Sequence, residues 1–445
     1  MILFDALNSK TGLRMQPRPV FFAGLSIFLV ATVFMFGTVL SALSFALFLA
    51  PVWLPALVIR GAWIMWIDLK RGEFIASQEY ILLEIKPPRS IENTPLAMEA
   101  VIDGLHLDPG ESNWYKVFVQ GGIRPYWSLE LASIEGQVHF FIWTRAGFRR
   151  LIESQVYAQY PGAQVVEAPD YTRRISARTG EWDLFGCDYK HTNPDPYPIK
   201  TYVDYGLDKT QKEPEQTDPL ANLIEFLGSF GKGEQFWLQI IIRVHKGDKY
   251  HKRTSSGAVH TWRDEAQKII TDIRRKTRDP YIDPATGEER PGFPNPTKGQ
   301  AEAMAAIERN IAKHPFDVGI RAIYLAETGG QFKPVVIASM KALFKQFSSQ
   351  SYNGIGWNGA RGLLRFDDYP WEIGVSKEKE KERRELVDAY RRRQYFHAPY
   401  AYDDYMVMST EELATLYHIP SRAVAAPSLD RISSATSEAP PNLPI

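Results

Sequence analysis

The sequence predicts an α+β protein on a membrane anchor: an N-terminal two-helix transmembrane hairpin, a ferredoxin-like (βαββαβ) domain and a second α/β unit. Three observations predict it. Pro19 to Ile59 contains no Asp, Glu, Lys, Arg or His. From Tyr80 to Ala168, runs with strand and helix periodicity follow one another in the order β-α-β-β-α-β. Beyond Asp170, strand-like and helix-like runs alternate again as far as Phe347.

The anchor comes first. As one helix, Pro19–Ile59 would be about 60 Å long, roughly twice the ~30 Å hydrocarbon core of a bilayer. Two spans, Val20–Gly37 and Ser41–Ile59, with the turn near Gly37-Thr38, fit that thickness. Lys10, Arg14 and Arg18 precede the first span, and Arg60, Lys70 and Arg71 follow the second. By the positive-inside bias both ends face the cytoplasm. The expected location is therefore the cytoplasmic (inner) membrane, multi-pass, with the bulk of the chain cytoplasmic. Trp53, Trp63 and Trp66 suit the interfacial aromatic belt. The main alternative is a single long tilted span, which would place the soluble part outside. A cleaved signal peptide fits less well, because the apolar region is too long and no small-residue cleavage site closes it.

The soluble elements follow in order. Tyr80–Ile85 reads as a strand stopped by Pro87-Pro88, and Pro95–Leu105 as a helix capped by Thr94. Trp127–Ile134 and Gln137–Thr144 read as a hairpin turning at Glu135-Gly136. Phe148–Tyr160 is a helix and Ala163–Ala168 a strand. In the second unit, strands are expected at Trp182–Tyr189, Ile199–Tyr205, Glu234–His245 and Phe316–Ala326. Helices are expected at Asp218–Phe230, Trp262–Arg275, Lys298–Lys313 and Pro334–Phe347, and loops at Arg278–Pro296 and Gly354–Gly362. Lys377–Arg393 is a charged helix, and the tail from Ala425 is linker-like. The implied segments are 1–18 (cytoplasmic), 19–67 (hairpin), 78–170 (ferredoxin-like), 171–370 (second α+β domain), 371–424 (charged and terminal helices) and 425–445 (tail).

The totals narrow the chemistry. The 445 residues hold 52 Lys and Arg against 52 Asp and Glu, so no global field draws nucleic acid. The one cysteine, Cys187, excludes an intrachain disulfide and a Cys-based zinc site. Gly228-Ser-Phe-Gly-Lys-Gly233 precedes a strand and lacks Ser or Thr after Lys232, so it is not a P-loop. Gly354-Ile-Gly-Trp-Asn-Gly359 has no Lys at all. His245, His251 and His260 lack helical ligand spacing. No Gly-x-Ser-x-Gly elbow occurs. Glu411-Glu412 follow Ser409-Thr410 and suit the first turn of a helix, where negative charge meets the positive dipole end, better than an acid–base pair. No catalytic residue, cofactor or metal is expected.

One local basic excess stands out. Val244–Asp279 holds ten Lys and Arg against five Asp and Glu, 10 − 5 = +5. Lys246, Lys249, Lys252, Arg253, Arg263, Arg274, Arg275 and Lys276, with Tyr250 and Trp262 nearby, are candidates for contact with single-stranded nucleic acid or an anionic surface. A solvated helix and loop is the plainer reading.

Two sets of phrases carry a likeness. The first runs Tyr80-Ile-Leu-Leu-Glu-Ile-Lys-Pro-Pro, Thr94-Pro-Leu-Ala-Met-Glu, Arg124-Pro-Tyr-Trp-Ser-Leu-Glu, Gly136-Gln-Val-His-Phe-Phe-Ile-Trp-Thr and Glu153-Ser-Gln-Val-Tyr-Ala-Gln-Tyr-Pro-Gly. The second is Ser409-Thr-Glu-Glu-Leu-Ala-Thr-Leu-Tyr-His-Ile-Pro with Pro440-Pro-Asn-Leu-Pro. Together they resemble the membrane-anchored, non-ATPase region of bacterial type IV secretion and conjugative-transfer ATPase-related proteins. In such proteins a nucleotide-binding domain commonly follows the Asn-Leu-Pro segment, and this sequence ends there, so no Walker motif transfers. The resemblance implies a non-catalytic inner-membrane subunit of a DNA-transfer apparatus. Its partners would be the lipid bilayer, a separate motor ATPase, single-stranded DNA and other copies of itself. The rival expectation is a membrane-tethered scaffold unrelated to DNA transfer, acting through Trp114, Tyr115, Tyr126 and Trp127.

Overall fold

In the computed structural model the described residues are 22, 24–30, 36–88, 94–107, 110–175, 181–208, 218–250, 257, 259–282, 289–329, 332–358 and 375–420. The 1–18 segment, the 425–445 tail, Lys252 and Arg253 lie outside them.

The N-terminal expectation needs correction. Helix α1 is Phe36–Phe48 and α2 is Ala50–Ser77. Gly37-Thr38, the expected turn, lies inside α1. Among the described residues α2 is the one helix long and apolar enough to cross a membrane, so the two-helix hairpin, and the multi-pass arrangement built on it, are not supported. The sequence reading ended the second span where charge begins, at Arg60. Helix propagation does not respond to that boundary: Arg60, Lys70, Arg71 and Glu73 are all good helix formers. Pro51 sits at the start of α2, where its missing N–H costs nothing. The helix therefore runs past Arg60 to Ser77, two residues before the first strand.

The body is one sheet. Strands β1 (Tyr80–Lys86), β2 (Tyr126–Ile134), β3 (Gln137–Arg145), β4 (Gln164–Ala168), β5 (Trp182–His191), β6 (Glu234–Val244), β9 (Pro315–Glu327) and β10 (Ile355–Trp357) lie in the order β10-β5-β9-β6-β2-β3-β1-β4. β11 (Met406–Ser409) adds to β9, making nine strands, and the pairings are antiparallel. This overturns the expected ferredoxin-like domain followed by a separate unit. Read from its outer edge, each half has its strands in matching sequence, β4-β1-β3-β2 and β10-β5-β9-β6. The halves are fused through β2 and β6, from Tyr126↔Arg243 to Ile134↔Gln235. The physical reason is edge satisfaction. Two long apolar strands left as free edges would expose unpaired N–H and C=O groups, and pairing them removes both edges.

Helices α3 (Pro95–Asp103), α5 (Arg149–Gln159), α6 (Leu220–Gly228), α9 (Val335–Ala342) and α11 (Thr410–Leu416) pack on the body, with the short α4 (Trp114–Phe118) beside α2. Phe140 meets Tyr417 beyond α11, Phe236 meets Phe226 of α6, and the Tyr189 hydroxyl donates to Met340 of α9. The opposite sheet face is covered by segment 170–175, the C-terminal end of α10 (Val375–Arg391) and the loop 393–405. Between β6 and β9 an inserted lobe holds α7 (Trp262–Lys276), the β7–β8 hairpin (Arg278–Ile282, Glu289–Pro294) and α8 (Lys298–Ile311), with its own small core at Ala266, Ile270 and Ile307.

Three further expectations change. Within the expected loop Gly354–Gly362, Ile355–Trp357 is the edge strand β10, paired with Tyr189–His191 of β5. In place of the expected loop Arg278–Pro296, Arg278–Ile282 and Glu289–Pro294 are paired antiparallel strands, with an irregular register between Arg278 and Pro280. Ile199–Tyr205 is a run of turns, not a strand. Asp204 accepts from the Thr201 amide, and the amides of Ile199 and Tyr202 are taken by Glu412 and Thr415, so no strand partner is needed.

Candidate anion site at the root of the N-terminal helix

Strand alternation puts two polar rows on the face covered by 393–405. Cross-strand partners share a face, so each row can be read off the register. The central row is Phe141, Glu130, Gln239, Arg321 and Asp188 on β3, β2, β6, β9 and β5. Arg393 lies over it, 1% exposed by side chain. Its Nε donates to Glu130 at 3.0 Å, Nη1 to Asp170 at 2.6 Å and to the Arg391 carbonyl at 2.8 Å, and Nη2 to Asp170 at 3.0 Å and Glu130 at 3.3 Å. All five N–H donors are used. Glu130 also accepts from Ser128, Tyr171 and Gln239. Burial works against the charge on Arg393, but Glu130 and Asp170 outweigh it and hold the guanidinium well above its ordinary value. Nearby, Arg321 meets Asp188 at 3.0 Å under the rings of Tyr395 and Tyr402. Gly319 lets Tyr395 approach: a Cβ there would lie 2.4 Å from the ring.

The second row lies four residues away along the strands, about 13 Å at ~3.4 Å per residue. Tyr80 pairs with Arg145, and Tyr126 pairs with Arg243, which pairs with Asp317. Tyr80, Tyr126 and Trp143 form an aromatic floor, with Tyr80 stacked on Trp143 at 4.2 Å and the Tyr80 and Tyr126 rings 6.3 Å apart. The outer part of this row is paired. Arg243 meets Asp317 at 2.9 Å, His245 meets Asp317 at 2.6 Å, and Arg124 is bound to Asp248 and, at 3.0 Å, to Glu111. Burial disfavours the Arg124 charge, yet Glu111 and Asp248 raise it above its usual value. Burial likewise opposes the Asp248 charge, and Arg124 and Arg243 overcome it.

The inner part is not paired. His397, only 7% exposed, sits edge-on to Tyr126 at 6.3 Å, and neither ring nitrogen has a hydrogen-bond partner among the described residues. Burial pushes its imidazole well below its ordinary value, and Arg243, Arg71, Arg124 and Arg145 push it further the same way. Arg71 Nε and Arg145 Nε are also buried without a partner. Arg145 has only a 3.4 Å contact from Nη2 to the Ile123 carbonyl, and lies over the Phe74 ring.

Helix α2 delivers Arg71 and Phe74 to this place. Trp66 Nε1 donates to the Phe118 carbonyl at 2.8 Å, and Trp63 packs on the Phe118 ring. At Gly121 (φ 68°) a Cβ would fall 2.0 Å from the Lys70 carbonyl oxygen, so only glycine lets this loop touch the helix backbone.

Elsewhere, α3 and the turn 312–314 line an open cleft of about 840 Å³. At its wall Glu99 is held by Lys313 at 2.7 Å and Tyr202 at 2.6 Å, and His314 meets Asp103 at 2.6 Å. Glu412 closes a capping box with Ser409 at the start of α11, as the first-turn reading of Glu411-Glu412 expects. Both are buried, and burial raises both carboxyls. Among the described residues no group of three or more His, Cys, Asp or Glu is arranged to hold a metal.

The basic stretch is dispersed. Lys249 turns inward to Asp195 and Tyr405, and Lys246 is half-buried. Arg263, Arg274, Arg275 and Lys276 are exposed on α7, where Arg274 lies 3.5 Å from Glu308 and Arg275 3.3 Å from Asp272. Of the aromatics named for a scaffold, Tyr126 and Trp127 are buried, while Trp114 (69%) and Tyr115 (50%) are exposed on α4. Sequence reasoning missed Arg71, Arg145 and His397. Arg145 ends β3 in phase with Trp143 and Phe141, a signal that was available; nothing local marks His397.

These features define a class: an α+β body built on one antiparallel sheet and rooted on a long apolar helix. Residues 70–431 match the family model described as "Domain of unknown function (DUF8128)", and the chain belongs to that family. No curated protein and no solved structure matches it. The matched region begins at Lys70, where α2 meets the body.

Proposed function

We propose that the chain is a membrane-anchored, non-catalytic subunit of a type IV secretion-like or conjugative DNA-transfer apparatus, whose body docks a separate motor ATPase. The observation that carries the anchored part is α2. Its side chains are exposed from Pro51 to Trp66, it is apolar apart from Arg60 over the length of a bilayer core, and only Gln78 and Glu79 separate it from β1. A helix joined this way holds the body at a fixed height over the membrane. Lys70 and Arg71 at the junction favour the cytoplasmic side. The transfer-machine part rests on the resemblance of the Tyr80, Arg124, Gly136 and Ser409 phrases. If DNA passes the body, Arg263 and Lys276 on the open face of α7 are the residues to meet it.

The test is affinity capture of the full chain from membranes of cells that carry it. Recovery of a P-loop ATPase, together with loss of DNA transfer on deletion, is the expected result. Recovery without an ATPase, with transfer intact, rejects the transfer role and leaves the scaffold reading, which the exposed Trp114 and Tyr115 favour. Protease added outside intact cells should leave the body whole.

A further inference from the structure

The unpaired groups around His397 share one chemical demand. Arg71 Nε, Arg145 Nε and the two His397 nitrogens are buried with no partner among the described residues, and the Tyr80 hydroxyl beside them faces only that of Tyr126. A guanidinium only donates. Burying such donors unused is costly, which is why native interiors rarely do it. The carboxylates within reach, Glu111, Asp248 and Asp317, are already held by Arg124, Arg243 and His245. Arg71 and Arg145 have no ion pair among the described residues. The demand is for an anion with several acceptor oxygens.

Position decides which anion. Residues 50–67 carry one charge, Arg60, and Asp68, Lys70 and Arg71 follow at once. That apolar length is about 27 Å at 1.5 Å per residue, close to a bilayer core. Trp63 and Trp66 mark its body end, docked on Phe118, and the exposed Trp114 and Tyr115 stand on the same short helix. Tryptophan and tyrosine gather at headgroup depth. The half-exposed Arg71 therefore stands at the level of lipid phosphates.

We propose that Arg71, Arg145, Tyr80 and His397 form a receptor for the phosphodiester of an anionic lipid headgroup in the leaflet that α2 crosses. Arg71 and Arg145 donate to the phosphate oxygens, and Tyr80 and His397 close the inner side above the Trp143 floor. The proposal rests on α2 spanning a membrane, but not on the transfer role.

The test uses the full chain purified in neutral detergent and short-chain phosphatidylglycerol or phosphatidylcholine, with bound lipid counted by native mass spectrometry. The expected result is a preference for phosphatidylglycerol of about tenfold or more. Arg71→Gln should weaken it severalfold, and Arg71→Gln with Arg145→Gln should abolish it. Arg71→Lys should keep part of it. Because Arg71 is half-exposed, its single variant keeps the test valid if the double variant misfolds. Equal retention of the two lipids, or a preference that survives Arg71→Gln undiminished, overturns the proposal. Complete displacement of phosphatidylglycerol by millimolar inorganic phosphate also overturns it, by assigning the site to a free anion. Alkaline carbonate separates the two failures. A chain that leaves the membrane in carbonate refutes the anchor, and one that stays but shows no lipid preference refutes only the receptor.

Discussion

Two arginine clusters lie on the same face of the same sheet, one on each polar row, and they are built on opposite principles. Every donor of Arg393 itself has an acceptor, and two carboxylates answer its guanidinium, although farther along that row Arg321 Nη1 and Nη2 are unpaired among the described residues. Around His397 the donors outnumber the acceptors, and two arginines have no carboxylate among the described residues. A saturated buried network fixes structure and has nothing left to offer a ligand. An unsaturated one costs stability and is available for binding. The central cluster joins β2, α10 and segment 170–175, so it holds the layers together. The terminal cluster sits where the body meets its anchor.

The largest effect should come from breaking the saturated cluster. Replacing Arg393 by Met leaves Glu130 buried with its countercharge removed. Removing one member of a buried pair costs about 3–5 kcal/mol. The unfolding midpoint of the detergent-solubilised chain in denaturant should fall accordingly. A change below about 1 kcal/mol would mean that the two clusters do not differ as described.

A smaller loss is expected at the joint between anchor and body. Gly121→Ala places a methyl group against the Lys70 carbonyl and asks alanine to hold a positive φ. Strain of this kind costs about 1–3 kcal/mol. The loop must lift off α2, which should expose the helix end to protease near residues 69–79 before the sheet unfolds. Cleavage no faster than in the unaltered chain would show that α2 is held by other contacts.

The sequence showed most of the strands and little of how they are assembled. The apolar, β-branched and aromatic runs Tyr80–Ile85, Gln137–Thr144 and Glu234–His245 marked strands that the structure contains, most of whose residues are buried on both faces of the sheet. Their fusion was not legible, because β2 looks the same whether its outer edge meets solvent or β6. Pairing partners distant in the chain leave no local mark. Ile199–Tyr205 failed for a related reason: its backbone is satisfied by Glu412 and Thr415, over two hundred residues away. Arg393 was hidden at the end of a run read as a charged helix, and the burial of Glu411 and Glu412 was equally invisible. At the terminal cluster the contributing residues come from α2, β1, β3 and the 393–405 loop, and no spacing rule links them. The helix boundary failed because charge limits membrane burial and not helix formation.

A third effect follows from protonation. His397 has its folded-state value pushed below the unfolded one by burial first and by the surrounding arginines next. The unfolded chain therefore binds a proton that the folded chain refuses once pH drops below about 6.5. Stability from this residue is fully present above that value. It is lost as pH falls toward the folded-state value, at up to about 1.4 kcal/mol per pH unit. His397→Phe should flatten the decline between pH 6.5 and 5.5. The acidic partners of Arg393 and Arg124 act in a lower window: burial opposes charging Asp170 and Asp248, but arginine holds both below their usual values, so their contribution fails only as pH falls through that lowered range. An unaltered slope in His397→Phe would place the imidazole in contact with water.

The smallest stability effect should be at Arg71, and this is where the comparison is sharpest. Arg393 and Arg71 are the same residue type on the same side of one sheet. Arg393→Met removes partners that the fold depends on. Arg71→Gln removes a charge that has no carboxylate to leave behind and is half-exposed, so the midpoint in denaturant should shift by no more than about 0.5 kcal/mol. Relief of repulsion with Arg124, Arg145 and Arg243 could even raise it. Anionic lipid should open a gap between the unaltered chain and Arg71→Gln. With phosphatidylglycerol present the unaltered chain gains stability by mass action, because the lipid binds only the folded state, and Arg71→Gln gains less. If Arg71→Gln destabilises the lipid-free chain as much as Arg393→Met does, the terminal cluster is a second structural knot and the distinction between the two rows is lost.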